Sequence, residues 1–194
     1  MLKNKILYPW AELFDSGIKT IPIFAYGSLV DPKSAASSFQ FTKVNMKYVI
    51  ATGVRRVFNY LMPDRHLERW GVELFGNQKA ALNLEITNEP EDRVNGVLIE
   101  IDTRDFQSLL KREEGYDLLQ VNATEWPEGQ SNASEHPYAF IAAPDSQYVD
   151  HAIDPVPGYF DLCVQAARNV SPSFSEYFDR TTFLNSGQSI QSIR

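Results

Sequence analysis

Glu113 is the side chain in this sequence best placed for proton transfer. The apolar residues Phe106, Leu109 and Leu110 recur at helical spacing, and position 113 continues the same stripe. Burial on that face and the negative end of the helix both disfavour a charged carboxylate, so we expect a raised pKa for Glu113. A carboxyl group with a raised pKa suits general acid–base catalysis near neutral pH.

Two alternatives to this interpretation of Glu113 stay open. Because helix ends fray, its side chain could instead turn to solvent or pair with Lys111 or Arg112. The neighbouring Glu114 is displaced by about 100° around the helix and is expected to face solvent. The helical phase therefore favours Glu113 over Glu114 as the buried carboxylate.

A second candidate site is the turn formed by Tyr26, Gly27, Ser28 and Leu29, which follows the apolar segment 21–25. The sequence predicts a buried strand that ends at this turn and a helix that begins just after it, at an Asp-Pro pair. Turns of this kind direct backbone N–H groups outward, where they can hold an anion or an oxyanion. A purely structural turn, with glycine present for its backbone freedom, is the alternative.

The remaining reactive side chains give weaker signals. All three histidines fall in predicted loops without ligand spacing, so we expect surface histidines and no metal site. Cys163 lies on an apolar helix face and is expected in the core. Arg55 and Arg56 alternate along a predicted strand, so they point to opposite faces. One of them could reach a substrate carboxylate, although a structural salt bridge is the simpler expectation.

The elements that must position these residues form a mixed pattern. Hydrophobic periodicity predicts strands at 21–25, 71–75, 80–87, 96–101, 116–123 and 138–143, an extended stretch at 44–58 that bends at Gly53, and helices at 32–39, 103–113, 159–170 and 172–184. Residues 61–69 and 126–137 are predicted loops, and 145–158 has no clear period. Because strands dominate the middle and helices do not alternate regularly with them, the pattern favours a mixed α+β domain.

The predicted domain organisation is a single domain at 21–185. Residues 1–20 form an N-terminal extension, whose aromatic side chains suit either a short helix packed on the domain or an arm toward a partner. Residues 186–194 are expected to be a frayed C-terminal tail.

Composition and charge restrict the possible functions. The chain has 194 residues, 43% hydrophobic and 22% charged, which is typical of a globular protein with a core. Its net charge of −7 argues against nucleic acid or an anionic membrane as a partner. A single cysteine, the lack of an apolar run long enough to span a membrane and the lack of a signal-peptide pattern favour the cytoplasm.

Short motifs in order and spacing resemble the γ-glutamylcyclotransferase-like family over residues 22–184. They are Tyr26-Gly27-Ser28-Leu29 after the first strand, Arg55-Arg56-x-Phe58-Asn59, Ala81-Leu82-Asn83-Leu84, Asn95-Gly96-Val97, and Phe106-x-x-Leu109-x-x-Arg112-Glu113-x-Gly115-Tyr116. Each motif alone is weakly specific, and it is their order along the chain that makes the resemblance specific.

The resemblance implies a small β-barrel with flanking helices, and a cofactor-free enzyme that acts on a small γ-glutamyl compound. Such an enzyme cyclises the γ-glutamyl group to 5-oxoproline and releases an amine or peptide. By position, Glu113 is the general acid/base, although some branches of the family place glycine directly after the catalytic Glu, which would select Glu114. The Tyr26–Leu29 turn and Tyr116 become the substrate-binding residues.

Other functions on the same fold stay open at this point. The chain could be a catalytically silent binding module that uses residues 1–20 for a partner, or an amide hydrolase that uses the same carboxylate. Glutathione, a γ-glutamyl amino acid and a γ-glutamylamine all fit as substrates. The N-terminal extension and the long segment 126–158 go beyond a minimal member of the family, and that segment borders the expected position of the leaving group.

Overall fold

The computed structural model describes residues 17–71, 76–113, 115–127 and 135–193. The strands in these ranges are β1 (Thr20–Ala25), β2 (Met46–Thr52), β3 (Val54–Leu61), β4 (Gln78–Ile86), β5 (Arg93–Asp102), β6 (Asp117–Gln120), β7 (Asn122–Glu125), β8 (Tyr138–Ile141), β9 (Asp154–Pro155) and β10 (Thr182–Leu184). The α-helices are α1 (Pro32–Ser38), α2 (Asp64–Leu67), α3 (Thr103–Arg112), α4 (Pro157–Val170) and α5 (Pro172–Arg180).

Two sheets share one hydrophobic core. The larger sheet has the strand order β6-β8-β1-β5-β2-β7, and the smaller has the order β10-β3-β4-β9. Strand β1 lies inside the larger sheet, antiparallel to β5 and parallel to β8. Both sheets curl as half-barrels, and helices pack on them. The predicted mixed α+β fold, a small β-barrel with flanking helices, is confirmed.

Two glycines allow the backbone geometry of these sheets. Gly53 connects β2 of the larger sheet to β3 of the smaller with a φ of 75°, which confirms the predicted bend and suits glycine. At Gly96, an added Cβ would lie 2.5 Å from both the Ala25 carbonyl oxygen and the Phe24 ring. Strands β1 and β5 can therefore approach closely only because position 96 carries no side chain.

Two predicted elements near the middle of the chain are wrong. The predicted loop 61–69 contains α2 and a 3-10 helix at Glu68–Trp70, because Leu67 is fully buried and anchors the segment on the domain. The predicted strand 116–123 is two strands, β6 and β7, which pair with β8 and β2 at opposite edges of the larger sheet. The buried side chain of Val121 separates them.

The C-terminal region also differs from the prediction. The helix expected at 172–184 ends at Arg180, and residues 182–184 form β10, which pairs with β3. The Thr182 hydroxyl donates to the Phe178 carbonyl at 2.6 Å, which favours this change of direction. Within the tail expected to fray, Ile190–Ile193 form a 3-10 helix and Ile190 is fully buried. Strand β9 lies in the segment 145–158, which showed no clear period.

Several predictions lie wholly or partly outside the described residues: those for the extension 1–20, the strand 71–75, the loop 126–137 and Glu114. No helix in the ranges that the structure covers is long and apolar enough to span a membrane.

The two neighbouring arginines of β3 point to opposite faces, as predicted. Arg55 is exposed and forms the expected salt bridge, at 3.1 Å to Asp92. Arg56 is fully buried over the Phe178 ring, 4.0 Å from its centroid, and donates to the side chain of Asn95 at 3.1 Å. Burial lowers the pKa of Arg56 to about 9.

Asp105, on the first turn of α3, fixes the chain that follows α1. Its carboxylate accepts backbone N–H groups from Gln40, Phe41 and Thr42 at 2.9, 2.8 and 2.5 Å. Burial opposes the charged form, but these hydrogen bonds outweigh it and lower the pKa of Asp105. The carboxylate therefore holds α1 in position beside α3.

Replacing Asp105 with Asn should lower the free energy of unfolding by about 1–3 kcal/mol at pH 7, because a neutral amide has one acceptor oxygen for three partly buried N–H groups. A lowered folded-state pKa gives stability that is present above the unfolded-state pKa of about 3.9 and is lost as pH falls through the folded-state value. Urea unfolding at pH 7 and at pH 3 measures both effects.

The exposed Asp117 of β6 provides a matched control, and Asp117→Asn should change stability by less than about 0.5 kcal/mol. A destabilisation by Asp105→Asn that stays equally large at pH 3 would contradict the assigned role of the Asp105 charge.

Candidate active site

A cavity of about 340 Å³ lies between the end of β1 and the end of α3. Its lining includes every residue that the sequence proposed for the site, namely Tyr26, Gly27, Ser28, Leu29, Glu113 and Tyr116.

The topology explains why Glu113 and the Tyr26–Leu29 turn lie at one cavity. Strand β5 runs antiparallel to β1, so Asp102 at its end pairs with Thr20 at the start of β1. Helix α3 follows at once and returns over its 10 residues, about 15 Å. Strand β1 covers a similar length, roughly 17 Å over its five steps. The last turn of α3 therefore arrives beside the turn after β1.

The Tyr26–Leu29 turn leads into a short 3-10 helix at Ser28–Val30. The Val30 N–H donates to the Gly27 carbonyl at 3.1 Å, whereas the N–H groups of Ser28 and Leu29 come too early for an acceptor within the turn. Asp31 then caps α1, as predicted, by accepting the Ser34 N–H at 2.9 Å. Backbone donors of the turn thus lie in residues that line the cavity.

Glu113 lies at the C-terminal cap of α3, and its N–H still donates to Leu109 at 2.9 Å. Its side chain is 20% exposed, and one oxygen lies 3.2 Å from Nε of the more exposed Arg112. The pairing considered as an alternative is therefore present, and the carboxylate still lines the cavity. Burial raises the pKa of Glu113, although Arg112 opposes the rise.

Two tyrosine hydroxyls of the cavity donate to backbone carbonyls. Tyr26 donates to the Phe140 carbonyl at 2.5 Å, and Tyr116 donates to the Leu82 carbonyl at 2.8 Å. A hydroxyl whose proton is committed in this way offers only its oxygen lone pairs to a ligand. The cavity therefore presents acceptors at Tyr26 and Tyr116.

The charge on Glu113 acts on the tyrosines around it. Burial raises the pKa of Tyr26, Tyr116 and Tyr159 well above the ordinary value, and the Glu113 carboxylate raises each of them further. All three hydroxyls therefore stay protonated near neutral pH. Glu113 and the three tyrosines line the same cavity.

Aromatic residues that the sequence analysis did not single out complete the lining. The Tyr60 ring stacks on Tyr116 with centroids 3.8 Å apart, and the Trp70 ring meets Tyr159 edge-on at 6.0 Å. Tyr60, Trp70 and Tyr159 lie in no motif, and they reach the site from β3, the 3-10 helix Glu68–Trp70 and α4. Only Tyr159 had a local signal in the sequence: it lies four residues before the core residue Cys163 on the same predicted helix, so both share one face.

Two other predictions concern residues near the site. Cys163 is fully buried, as predicted for a core residue, and burial raises its pKa to about 12. His66, expected in a surface loop, is half-buried on α2 and lines the cavity. In the described ranges, no three His, Cys, Asp or Glu side chains are grouped as metal ligands.

No protein-family model and no curated protein matches the sequence. Solved structures do match the fold. A γ-glutamyl cyclotransferase gives a TM-score of 0.61 at 13% identity, over 82% of this chain and 86% of that one. An uncharacterised protein from Homo sapiens gives 0.60 at 13% identity, over 83% and 87% of the two chains. A yeast γ-glutamyl cyclotransferase specific to glutathione gives 0.59 at 13% identity, over 85% and 98%.

Replacing Gly27 with Ala should destabilise the protein by about 1–2 kcal/mol, because the new Cβ would lie 2.9 Å from the Tyr159 hydroxyl. The next atom, on Leu82, is at an ordinary 3.6 Å, so removing the hydroxyl should relieve the strain. Urea unfolding of Gly27→Ala, Tyr159→Phe and the double variant should show a coupling of about 1 kcal/mol. Purely additive effects would contradict this close approach.

Proposed function

Because the chain has the γ-glutamyl cyclotransferase-like fold, we propose that it converts the γ-glutamyl part of a small compound to 5-oxoproline and releases an amine or peptide. One observation carries the proposal: a carboxylate with a raised pKa, Glu113, lines the same cavity as the backbone donors of the Tyr26–Leu29 turn. A volume of about 340 Å³ is near the small end of ligand sites, which suits a substrate of this size.

The tyrosine oxygens suit the substrate's ammonium group. Tyr26 and Tyr116 have committed their protons to backbone carbonyls, so their lone pairs can accept hydrogen bonds from the ammonium. The Glu113 carboxylate adds the opposite charge nearby. Together they would hold the α-nitrogen beside the base that must deprotonate it.

The reaction needs mainly a folded substrate and a proton carrier. In a γ-glutamyl compound the α-amine can fold back on its own γ-carbonyl carbon, so nucleophile and electrophile are in one molecule. Glu113 takes a proton from the ammonium, and the free amine forms the new C–N bond of a five-membered ring. The carbonyl oxygen then becomes an oxyanion, for which the N–H groups of Ser28 and Leu29 are the proposed donors.

Collapse of this intermediate breaks the original amide bond. Two of the three ammonium protons end on the leaving nitrogen, which departs as an ammonium group, and the third stays on the lactam nitrogen. Glu113 carries protons between the two nitrogens and ends in its starting state. No metal or organic cofactor takes part in this scheme.

A panel of glutathione, γ-glutamyl amino acids and a γ-glutamylamine should yield 5-oxoproline from at least one member. Glu113→Gln should lower kcat by at least about 100-fold because the proton carrier is lost, whereas Glu114→Gln should leave it within about threefold. Chromatography of the products measures both.

Three other outcomes would change the proposed reaction or its acid/base residue. Folded wild-type protein that forms no 5-oxoproline from any member would exclude the proposed reaction. Free glutamate in place of 5-oxoproline would indicate an amide hydrolase that uses the same carboxylate. Loss of activity only in Glu114→Gln would move the acid/base to that residue.

Glu113→Gln should also stabilise the protein by about 1 kcal/mol at pH 7, because it removes a charge from a buried position. A folded-state pKa raised above the unfolded value of about 4.3 favours folding below that value and is lost as pH rises through the folded-state pKa. The gain should therefore vanish near pH 4. Thermal unfolding at both pH values measures it, and a destabilised variant at pH 7 would contradict the raised pKa.

A further inference from the structure

The outer wall of the cavity comes from the segment 63–70, which the sequence predicted as a loop. The structure folds it as α2 followed by the 3-10 helix Glu68–Trp70. Its contributions to the cavity lining are Pro63, His66, Arg69 and Trp70. Arg69 is exposed, so this wall ends in a cation at the mouth of the cavity.

A continuous set of contacts connects this cation to the inner turn. The Tyr159 hydroxyl lies 2.9 Å from the position of a Cβ on Gly27, and the Tyr159 ring meets the Trp70 ring at 6.0 Å. The Arg69 guanidinium in turn lies 5.9 Å from the centroid of the Trp70 ring, within cation–π range. Trp70 is itself held by Gly158, where an added Cβ would lie only 2.8 Å from its ring.

The charges along the lining are not balanced. Among the described residues of the lining, Arg69 and Arg112 carry positive charges and Glu113 is the one carboxylate. Arg112 is already engaged, at 3.2 Å to Glu113 and 3.1 Å to the Ser38 hydroxyl. For Arg69, the described ranges show a ring contact and no ion pair. In a chain of net charge −7, a cation at this mouth that no carboxylate of the described ranges pairs with favours an anionic ligand group.

The acidic neighbours of Arg69 on the same segment do not change this balance inside the cavity. Asp64 and Glu68 are exposed, and neither contributes to the lining. His66, which does, lies 3.3 Å from the Nε atom of Arg65 through its own Nε2 atom.

The proposed reaction sets the direction of the substrate. The γ-glutamyl group must reach Glu113 and the turn at the inner end, so its leaving group points outward along the wall that ends at Arg69. In a γ-glutamyl amino acid or peptide this outer part carries a carboxylate, whereas in a γ-glutamylamine it carries none. A planar guanidinium binds a carboxylate through two parallel hydrogen bonds.

We propose that Arg69, held by Trp70, is a specificity-determining residue that binds the carboxylate of the leaving group. The substrates are then γ-glutamyl amino acids or short γ-glutamyl peptides and not γ-glutamylamines. This inference rests on the proposed function and adds the class of leaving group to it.

The test compares γ-glutamyl-alanine with γ-glutamyl-ethylamide, since the leaving groups of these compounds differ only in the carboxylate. Wild-type protein should prefer γ-glutamyl-alanine by about 10-fold or more in kcat/KM. Arg69→Gln should remove most of that preference by lowering kcat/KM for γ-glutamyl-alanine alone. Arg69→Lys should retain part of it, because the charge remains without the bidentate geometry.

Arg65→Gln is the matched control, since Arg65 lies on the same segment outside the cavity lining, and it should leave the preference unchanged. Thermal unfolding of each variant checks the fold. Calorimetric binding of both compounds is measured in the same preparations, so the preference is tested whether or not turnover occurs.

The outcomes separate the two proposals. A preference in binding without 5-oxoproline from either compound would overturn the proposed reaction and support the carboxylate site. Formation of 5-oxoproline from both compounds with equal efficiency would support the reaction and overturn the role of Arg69. An equal loss of kcat/KM for both compounds in Arg69→Gln would also overturn that role, because Arg69 would then act on a part of the substrate that both compounds share, such as the γ-glutamyl group.

Discussion

Hydrogen bonds between side chains and the backbone fix the strands around the cavity, both within the larger sheet and between the two sheets, and the geometry of the site depends on them. Tyr26 reaches from the end of β1 to its neighbour β8 within the larger sheet, and Tyr116 reaches from the start of β6 across to β4 of the smaller sheet. Asn83 of β4 completes the set, since its amide exchanges two hydrogen bonds with the backbone of Ala142. Each bond satisfies buried polar groups that would otherwise cost about 1–3 kcal/mol. The hydrogen bonds that connect the strands therefore also leave the hydroxyl oxygens of Tyr26 and Tyr116 as acceptors in the cavity.

The cavity also determines what Glu113 can do. A carboxylate at the end of an exposed helix would titrate as an ordinary acid, because water would solvate its charge. Here the Glu113 side chain is only 20% exposed and lines a cavity together with the stacked rings of Tyr60 and Tyr116, and burial raises its pKa. Arg112 lies within 3.2 Å but is itself partly exposed, so solvent screens its effect. Desolvation prevails over the ion pair, which keeps the group able to accept and return a proton.

The part of the site that could be predicted from the sequence depends on local patterns. The stripe of Phe106 and Leu109 sets the phase of α3 within a few residues, and an Asp-Pro pair marks where α1 begins. The parts that could not be predicted depend on distant contacts. Residues 182–184 become a strand only because β3 offers an edge, and Asp105 becomes a buried anchor only because residues 40–42 turn their N–H groups toward it. A short stretch of sequence around residues 182–184 does not include β3, and one around Asp105 does not include residues 40–42.

Within the cavity, local sequence patterns and distant contacts define different parts: the first define the inner end, and the second define the outer wall. Its inner end is formed by the turn after β1, the start of α1 and the last turn of α3. Each of these is indicated by a local pattern in the sequence. The outer wall consists of Trp70 against Gly158 and Tyr159, three residues on elements that meet only in the folded chain. Under the proposed function, changes in segment 63–70 would alter which leaving group fits without disturbing β1, α3 or the hydrogen bonds between the sheets. The proposed intramolecular cyclisation would then be kept while the released amine varies.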